Sequence, residues 1–362
     1  METPDWPRTR VAVPAPERHL PDAIISHHCS MRFRRRIPVL LGLVIFLAAV
    51  FAVVELRKHA PPEPARLLPG ADGFLYLNLQ WMRRADVGGK LPAVPHDPDY
   101  EQFIRDTGFD FERDLAQAAF AIHYASPATH HETRFSEILV AHLEGEKFRT
   151  YLKKNAQSIE EYRAIEIYNV PVEDRIFRIA ILGVDVCTPH LCTMVAASNH
   201  DDPAVIHGMV DRARKLASPF GGPALLRSFY RHVPQLPLPS LGWAIFKVNP
   251  SGPFSSPLFP APATVVASVQ YLGAVHFRAE AFTKNADTAK QLVAEASTFL
   301  NIFQSAEQSA TGHQADADVE QVMQSIQIGQ NDDRAILTAI VPSEVIRRIV
   351  AEAPATLSSQ HK

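Results

Sequence analysis

The chain has 362 residues, 46% of them hydrophobic, and its 36 Lys and Arg against 39 Asp and Glu give a formal net charge of −3. Acidic residues outnumber basic ones after residue 58, so the basic face that binds nucleic acid is not expected. The length is sufficient for two domains with ordinary hydrophobic cores.

The first 36 residues are rich in proline and show no periodic apolar pattern. Such composition cannot bury a core, so we expect residues 1–36 to form a short disordered tail. The tail ends in Arg32, Arg34, Arg35 and Arg36. These charges precede the most apolar part of the chain and favour a cytoplasmic side for the tail.

Residues 37–54 read IPVLLGLVIFLAAVFAVV and contain no charge. A helix of this length spans roughly 27 Å, close to the hydrocarbon thickness of a bilayer. We therefore expect an uncleaved transmembrane signal-anchor, followed by a linker over residues 55–69 and an exterior region. A cleaved signal peptide and a buried core helix are the alternatives.

The exterior region contains the same order of elements twice, which predicts an internal duplication. We assign the first unit to residues 70–217, a connecting segment to 218–240, the second unit to 241–352 and a disordered tail to 353–362. Strands of the first unit are predicted at residues 74–79, 117–125, 138–145, 162–170, 176–186 and 193–198. Strands of the second are predicted at residues 241–249, 264–272, 274–282, 324–330 and 334–341.

Apolar spacing of three and four residues predicts the helices that follow these strands. The stripes are Val205, Ile206, Met209, Val210, Ala213 and Leu216, and Ala289, Leu292, Val293, Ala296, Phe299 and Phe303. Further helices are predicted from Glu146 and Ser343. Alternation at Val275, Phe277, Ala279 and Ala281 predicts a sheet with one buried face. Together these patterns predict an α+β fold: two similar units of mostly antiparallel sheet with packed helices.

Five stretches resemble an uncharacterised bacterial family of membrane-anchored exterior domains, known only as a domain of unknown function. The matching pieces are residues 108–115, 138–154, 162–171, 193–199 and 224–249. The chain departs from the family pattern at Cys187 to Cys192 and after Asn249. The resemblance implies an anchor followed by a duplicated exterior domain, and it supplies no catalytic residues.

Two cysteines, Cys187 and Cys192, lie at the ends of CTPHLC between two predicted strands. In an oxidising compartment they are candidates for a short hairpin disulfide. Free thiols are one alternative. A metal site using His190 with His200 or Asp201 is another, although the spacing matches no standard zinc pattern.

A group of histidines, His123, His130, His131 and His142, surrounds a predicted loop and suggests a metal-assisted hydrolase as an alternative function. Solvated loop histidines are the simpler interpretation. The chain lacks a glycine-rich phosphate loop, HExxH and GxSxG. We therefore predict no catalytic residue, no cofactor and no metal ligand.

The proline-rich loop at residues 250–262 presents Phe254, Leu258 and Phe259. Prolines cannot continue a sheet, so this segment is predicted to be an extended loop. Its apolar side chains either cover the end of a sheet or form a contact for a partner.

These features predict a bacterial inner-membrane protein with a single span, a cytoplasmic N-terminus and a periplasmic or exterior C-terminal region. We expect a non-enzymatic binding or envelope-assembly module that contacts the membrane through residues 37–54. An envelope protein or peptide is the expected partner. A transmembrane sensor is disfavoured, because the 36 residues before the span cannot hold a signalling domain.

Overall fold

The computed structural model describes residues 63–84, 96–126, 132–187, 190–217, 240–250, 259–310 and 317–352. All of them belong to one compact unit, Pro61–Lys362. Its fold is α+β: a twelve-stranded antiparallel sheet carries helices on its two faces. This confirms the predicted fold class at the level of a large antiparallel sheet with packed helices.

The strands are β1 (Gly73–Asn78), β2 (Leu115–His123), β3 (Arg134–Ala141), β4 (Ser158–Tyr162), β5 (Ile165–Val172), β6 (Arg175–Cys187), β7 (His190–Ser198), β8 (Gly242–Val248), β9 (Ala263–Tyr271), β10 (Ala274–Phe282), β11 (Gln327–Asn331) and β12 (Arg334–Pro342). The helices are α1 (Glu63–Leu67), α2 (Leu79–Arg84), α3 (Pro98–Thr107), α4 (Phe111–Asp114), α5 (Gly145–Asn155), α6 (Ala204–Ala213), α7 (Ala286–Ala310), α8 (Ala317–Ser325) and α9 (Ser343–Glu352).

The strand order across the sheet is β11-β12-β10-β9-β8-β1-β2-β3-β7-β6-β5-β4. Strands β1 and β8 therefore join the part of the sheet built before residue 217 to the part built after residue 240. Their antiparallel register places Phe74 across from Ile245 and Tyr76 across from Trp243. Backbone pairing is continuous across this junction.

Local capping explains where α3 begins and ends. The Asp97 carboxylate accepts a hydrogen bond from the Asp99 amide at 2.8 Å, and Pro98 occupies the first turn. At the other end Gly108 adopts φ 71° and its amide donates to the Ile104 carbonyl at 2.7 Å. Glycine suits this left-handed C-terminal position because it carries no Cβ.

Most predicted elements appear within a few residues of their expected bounds, but several strand predictions were wrong in detail. Leu79 and Gly145, predicted to end strands, begin the helices α2 and α5. Tyr162 was predicted to begin the strand that contains Ile165; it ends the separate strand β4, and Arg163 and Ala164 form the turn at φ 54° and 57°. Gln324 was predicted to begin a strand, but it lies in α8. The turn at Arg163 and Ala164 carries neither glycine nor asparagine, the residues that mark such positions in a sequence.

No helix among the described residues is both long and apolar enough to cross a membrane. The predicted anchor at residues 37–54 lies outside the described residues. So do the tails, residues 55–62 of the linker predicted at 55–69, and most of the connecting segment. Residues 63–67 of that linker form the helix α1.

Candidate functional site

The two faces of the central strands differ in burial. Face A is the face that carries Tyr76, and face B is the opposite face, which carries Leu75. Buried apolar side chains of β1, β2, β3, β8 and β9 fill face A: Phe74, Tyr76, Ala119, Ala121, Ile138, Val140, Trp243, Ile245 and Val266. Ala65 of α1, Leu68 just after α1, and Ile206 and Met209 of α6 pack against them. Face A is therefore an ordinary closed core.

Face B of the same strands is also apolar, but it is only partly covered. We call its partly exposed floor the central patch: Leu75, Leu77, Ile122, Ala244, Ala267 and Val269. Leu75 lies across from Ala244, and Ala244 lies across from Ala267. Cross-strand neighbours of this kind are about 5 Å apart, so the central patch is continuous over three strands.

Packed clusters border the central patch on two sides. Phe120, directly across from Leu75, packs against the buried cluster of Phe109, Leu115, Ala118 and Ala141, and Leu79 of α2 packs against the same cluster. Phe246, two residues along β8 from Ala244, packs with Leu292 of α7. Helices thus cover face B on both sides of the central patch.

The composition of this face is unusual for an open sheet. An antiparallel sheet with one solvated face normally alternates apolar residues with polar ones. Here Leu75 and Leu77 alternate with Phe74 and Tyr76, so both faces are apolar. A contiguous, partly exposed apolar patch is a candidate for an interaction surface.

Gly242 keeps the β1–β8 junction tight beneath the central patch. A Cβ atom at this position would lie 2.9 Å from the Tyr76 carbonyl oxygen and 3.0 Å from Leu77 Cδ2. Any other residue would push the two strands apart or displace Leu77. A glycine here is therefore needed for the observed pairing.

An acidic side chain, Glu137, lies on face B near the central patch. Glu137 of β3 is directly across from Phe120, with Ala197 on its other side. Burial raises the pKa of the Glu137 carboxyl above its usual value. Within the described part of the chain, no hydrogen bond or ion pair to this carboxylate is found.

Two histidines meet at the end of β2. The imidazoles of His123 and His200 are edge-to-face with ring centroids 4.4 Å apart. Both Nε2 atoms are buried and have no hydrogen-bond partner among the described residues. Burial, the charge of His123 and the charge of Arg134 lower the pKa of His200 to about 4. Burial also lowers the pKa of His123.

Two of the four histidines in the predicted group, His123 and His142, lie among the described residues. His123 ends β2 beside Arg134, whereas His142 follows β3 at the opposite end of the strand pair, about 25 Å away at 3.3 Å per residue. His130 and His131 lie outside the described residues. Among the described residues, no group of three His, Cys, Asp or Glu side chains is arranged to hold a metal ion.

The cysteine hairpin joins β6 and β7. In register, Cys187 lies across from His190, and Asp185 lies across from Cys192. Cys192 is fully buried and disulfide-bonded, and its Sγ lies 3.7 Å from His142 Nδ1. The Cys187 side chain lies outside the described side chains, so the pairing of the two cysteines stays a prediction.

The proline-rich loop is described only at its ends. Phe254 and Leu258 lie outside the described residues. Phe259 is partly buried and packs against the buried cluster that contains Val248, Val265 and Leu292. The contacts of Phe259 therefore favour a role in covering the sheet over a role in contacting a partner.

A cleft of about 690 Å³ opens beside the first turn of α5, where Arg149, Glu166 and Tyr168 contribute charge and hydrogen bonds. The Tyr168 hydroxyl donates to Glu166 Oε2 at 2.5 Å, and Lys153 Nζ lies 2.9 Å from Glu166 Oε1. Burial and the neighbouring Glu166 raise the pKa of Tyr168 to about 12.

No protein-family model and no curated protein matches the chain. Crystal forms III and I of the protein TP0453 are similar to it with a TM-score of 0.39 each, at 11% and 10% sequence identity. These matches cover 80% and 81% of this chain and 98% of TP0453. A similarity with this TM-score supports no conclusion about function.

The sequence analysis did not identify the central patch, although the strands that form it have a recognisable composition. The segments FLYL, AAFAI and WAIF are apolar without interruption. Uninterrupted apolar strands indicate that both faces are covered. On face B of the central strands that cover is incomplete, and this difference defines the site.

Proposed function

We propose that the protein is a single-pass, membrane-anchored binding module whose exterior domain docks an envelope protein or peptide on the central patch. The observation that carries this proposal is the contiguous, partly exposed apolar surface formed by Leu75, Ala244 and Ala267 on face B. Burial of such a surface by a partner is favourable at about 25 cal/mol per Å². Binding requires no catalytic group, which fits the chemistry of this face.

The anchor is part of the proposal. Residues 37–54 would hold the module in the bacterial inner membrane, with the tail in the cytoplasm and residues 59–362 on the periplasmic or exterior side. The arginines before the span support this orientation. Protease added to spheroplasts should therefore digest a C-terminal tag, and full protection of the tag would contradict the orientation.

The proposal includes an internal duplication. The three-stranded meander β1-β2-β3 pairs on its outer side with β7, just as β8-β9-β10 pairs with β12. In each half, a helix on face B, α5 or α7, follows the third strand of the meander. The last strand of each half leads into a closing helix, α6 or α9. Two related units joined antiparallel at β1 and β8 would place the central patch at their junction.

The test uses full-length protein in lipid nanodiscs and the triple variant Leu75→Ser, Ile122→Ser, Val269→Ser. We expect this variant to lose most binding of the dye bis-ANS while keeping a cooperative melting transition. The matched control replaces three exposed apolar residues of α7, Phe299, Ile302 and Phe303, which are 57%, 62% and 55% exposed. Equal dye loss in both variants would contradict a binding role specific to the central patch.

A further inference from the structure

We propose that the polypeptide segment docked on the central patch brings a lysine or arginine side chain to Glu137. This inference rests on the proposed function and specifies the chemistry of its partner. It concerns charge complementarity beside an apolar patch.

The register places Glu137 within reach of a ligand on the central patch. Glu137 is one strand away from Phe120 and two strands away from Leu75 on the same face. Neighbouring strands are about 4.8 Å apart, so the carboxylate lies roughly 10 Å from Leu75. Phe120, which borders the central patch, lies between Leu75 and Glu137. A basic side chain of the bound segment would therefore extend over Phe120 to reach the carboxylate.

The surroundings of Glu137 contain apolar groups and no matching cation. Phe135 and Leu139 are its face B neighbours along β3, and Ile179 lies beyond Ala197 on β6. The nearest arginine in sequence, Arg134, is engaged by Glu132 at 3.0 Å and Asp201 at 2.9 Å. In the described ranges, Glu137 is thus a carboxylate without a counter-ion.

An unpaired carboxylate among apolar side chains has an unfavourable desolvation energy, which the raised pKa of Glu137 reflects. A cation supplied by the partner offsets this energy through a charge-assisted hydrogen bond. An acidic or purely apolar partner leaves the carboxylate uncompensated, so Glu137 would also select against such partners.

The experiment compares three dye-labelled peptides of about nine residues that alternate leucine with serine. One central leucine is replaced by lysine, norleucine or glutamate. Binding is measured by fluorescence anisotropy to the full-length chain in nanodiscs. We expect the lysine peptide to bind about tenfold tighter than the norleucine peptide, a difference typical of one desolvated ion pair, and the glutamate peptide to bind weakest.

Two variants separate the role of Glu137 from overall charge. Glu137→Gln should bind the lysine and norleucine peptides with affinities within about twofold of each other and melt no lower than the wild type. Glu161→Gln removes the same charge from an exposed site on the edge strand β4 and should keep the tenfold preference. If Glu137→Gln keeps the preference for the lysine peptide, or if the wild type shows no such preference, the role of Glu137 is contradicted while the docking site still stands. Failure of all three peptides to bind the wild type at about 1 mM would overturn the proposed docking site as well.

Discussion

Tyr76 and Trp243 stack across the junction of β1 and β8, with ring centroids 5.7 Å apart and an interplanar angle of 27°. They are directly paired in the register, and both are buried on face A. The Tyr76 hydroxyl donates to Gln117 Oε1 at 3.0 Å, and burial raises the pKa of Tyr76 to about 12. This contact fastens together the two parts of the sheet that support the central patch.

Trp243→Ala should therefore destabilise the whole sheet. Loss of a buried aromatic side chain typically costs about 3–5 kcal/mol, and the aromatic pair itself contributes about 0.5–1.5 kcal/mol in a double-mutant cycle with Tyr76→Leu. Because pairing is continuous through β1 and β8, we expect a single melting transition at a lower temperature. Calorimetry that resolves two independent transitions in the wild type would show that the two halves fold separately.

Acid should loosen the end of the sheet near His123 and His200. Burial, together with the charges of His123 and Arg134, lowers the pKa of His200 to about 4, below the ordinary value of 6.5. A histidine with a lowered folded-state pKa binds its proton more readily when unfolded. Its contribution to stability is therefore complete above pH 6.5 and is lost as the pH falls from 6.5 towards 4.

The measurement is the melting temperature between pH 7.5 and 4.5 for the wild type and His200→Gln. The variant should show a flatter dependence on pH over this range, because one proton-linked group has been removed. His207→Gln is the control, since the His207 ring stacks on Tyr162 and its Nε2 lies 2.7 Å from Glu160. If the melting temperatures of the wild type and His200→Gln depend on pH in the same way, the assignment of the acid sensitivity to His200 is contradicted.

Sequence patterns predicted individual helices and strands better than their burial and their pairing. The spacing of Ala289, Leu292 and Phe299 correctly predicted α7, because amphipathic periodicity depends on local geometry. It did not predict that Phe299 would be 57% exposed, since burial depends on what lies opposite the helix. The pairing of β1 with β8 joins residues more than 160 positions apart, and no local pattern specifies such a register. The central patch depends on that pairing, so it emerged only from the fold.

Reduction of the cysteine hairpin should have a modest effect on stability. If Cys187 and Cys192 are bonded to each other, the closed loop holds six residues, and the chain-entropy relation gives about 2 kcal/mol. We expect the melting temperature to fall by a few degrees in reductant. Mass spectrometry of non-reduced peptides should find the two cysteines linked, and recovery of both as free thiols would reject the pairing.

Different parts of the proline-rich loop should behave differently. Phe259→Ser should lower the melting temperature, because Phe259 packs against the buried cluster that contains Val248 and Leu292. Partial burial of a phenylalanine gives a loss of about 1–2 kcal/mol. For Phe254 and Leu258 the partner-contact hypothesis stands as a prediction. Phe254→Ser with Leu258→Ser should leave melting unchanged and weaken partner binding. A large fall in melting temperature in that double variant would assign these residues to the core.

The most direct measurement of the docking role is site-specific photo-crosslinking in cells. Benzoylphenylalanine would replace Leu75 in the central patch and, as the matched control, Phe299 on the exposed side of α7. The docking role predicts a discrete crosslinked product of higher mass from position 75, lost when Ala244→Glu is added, and none from position 299. The same products from both positions, or no product from position 75, would contradict it.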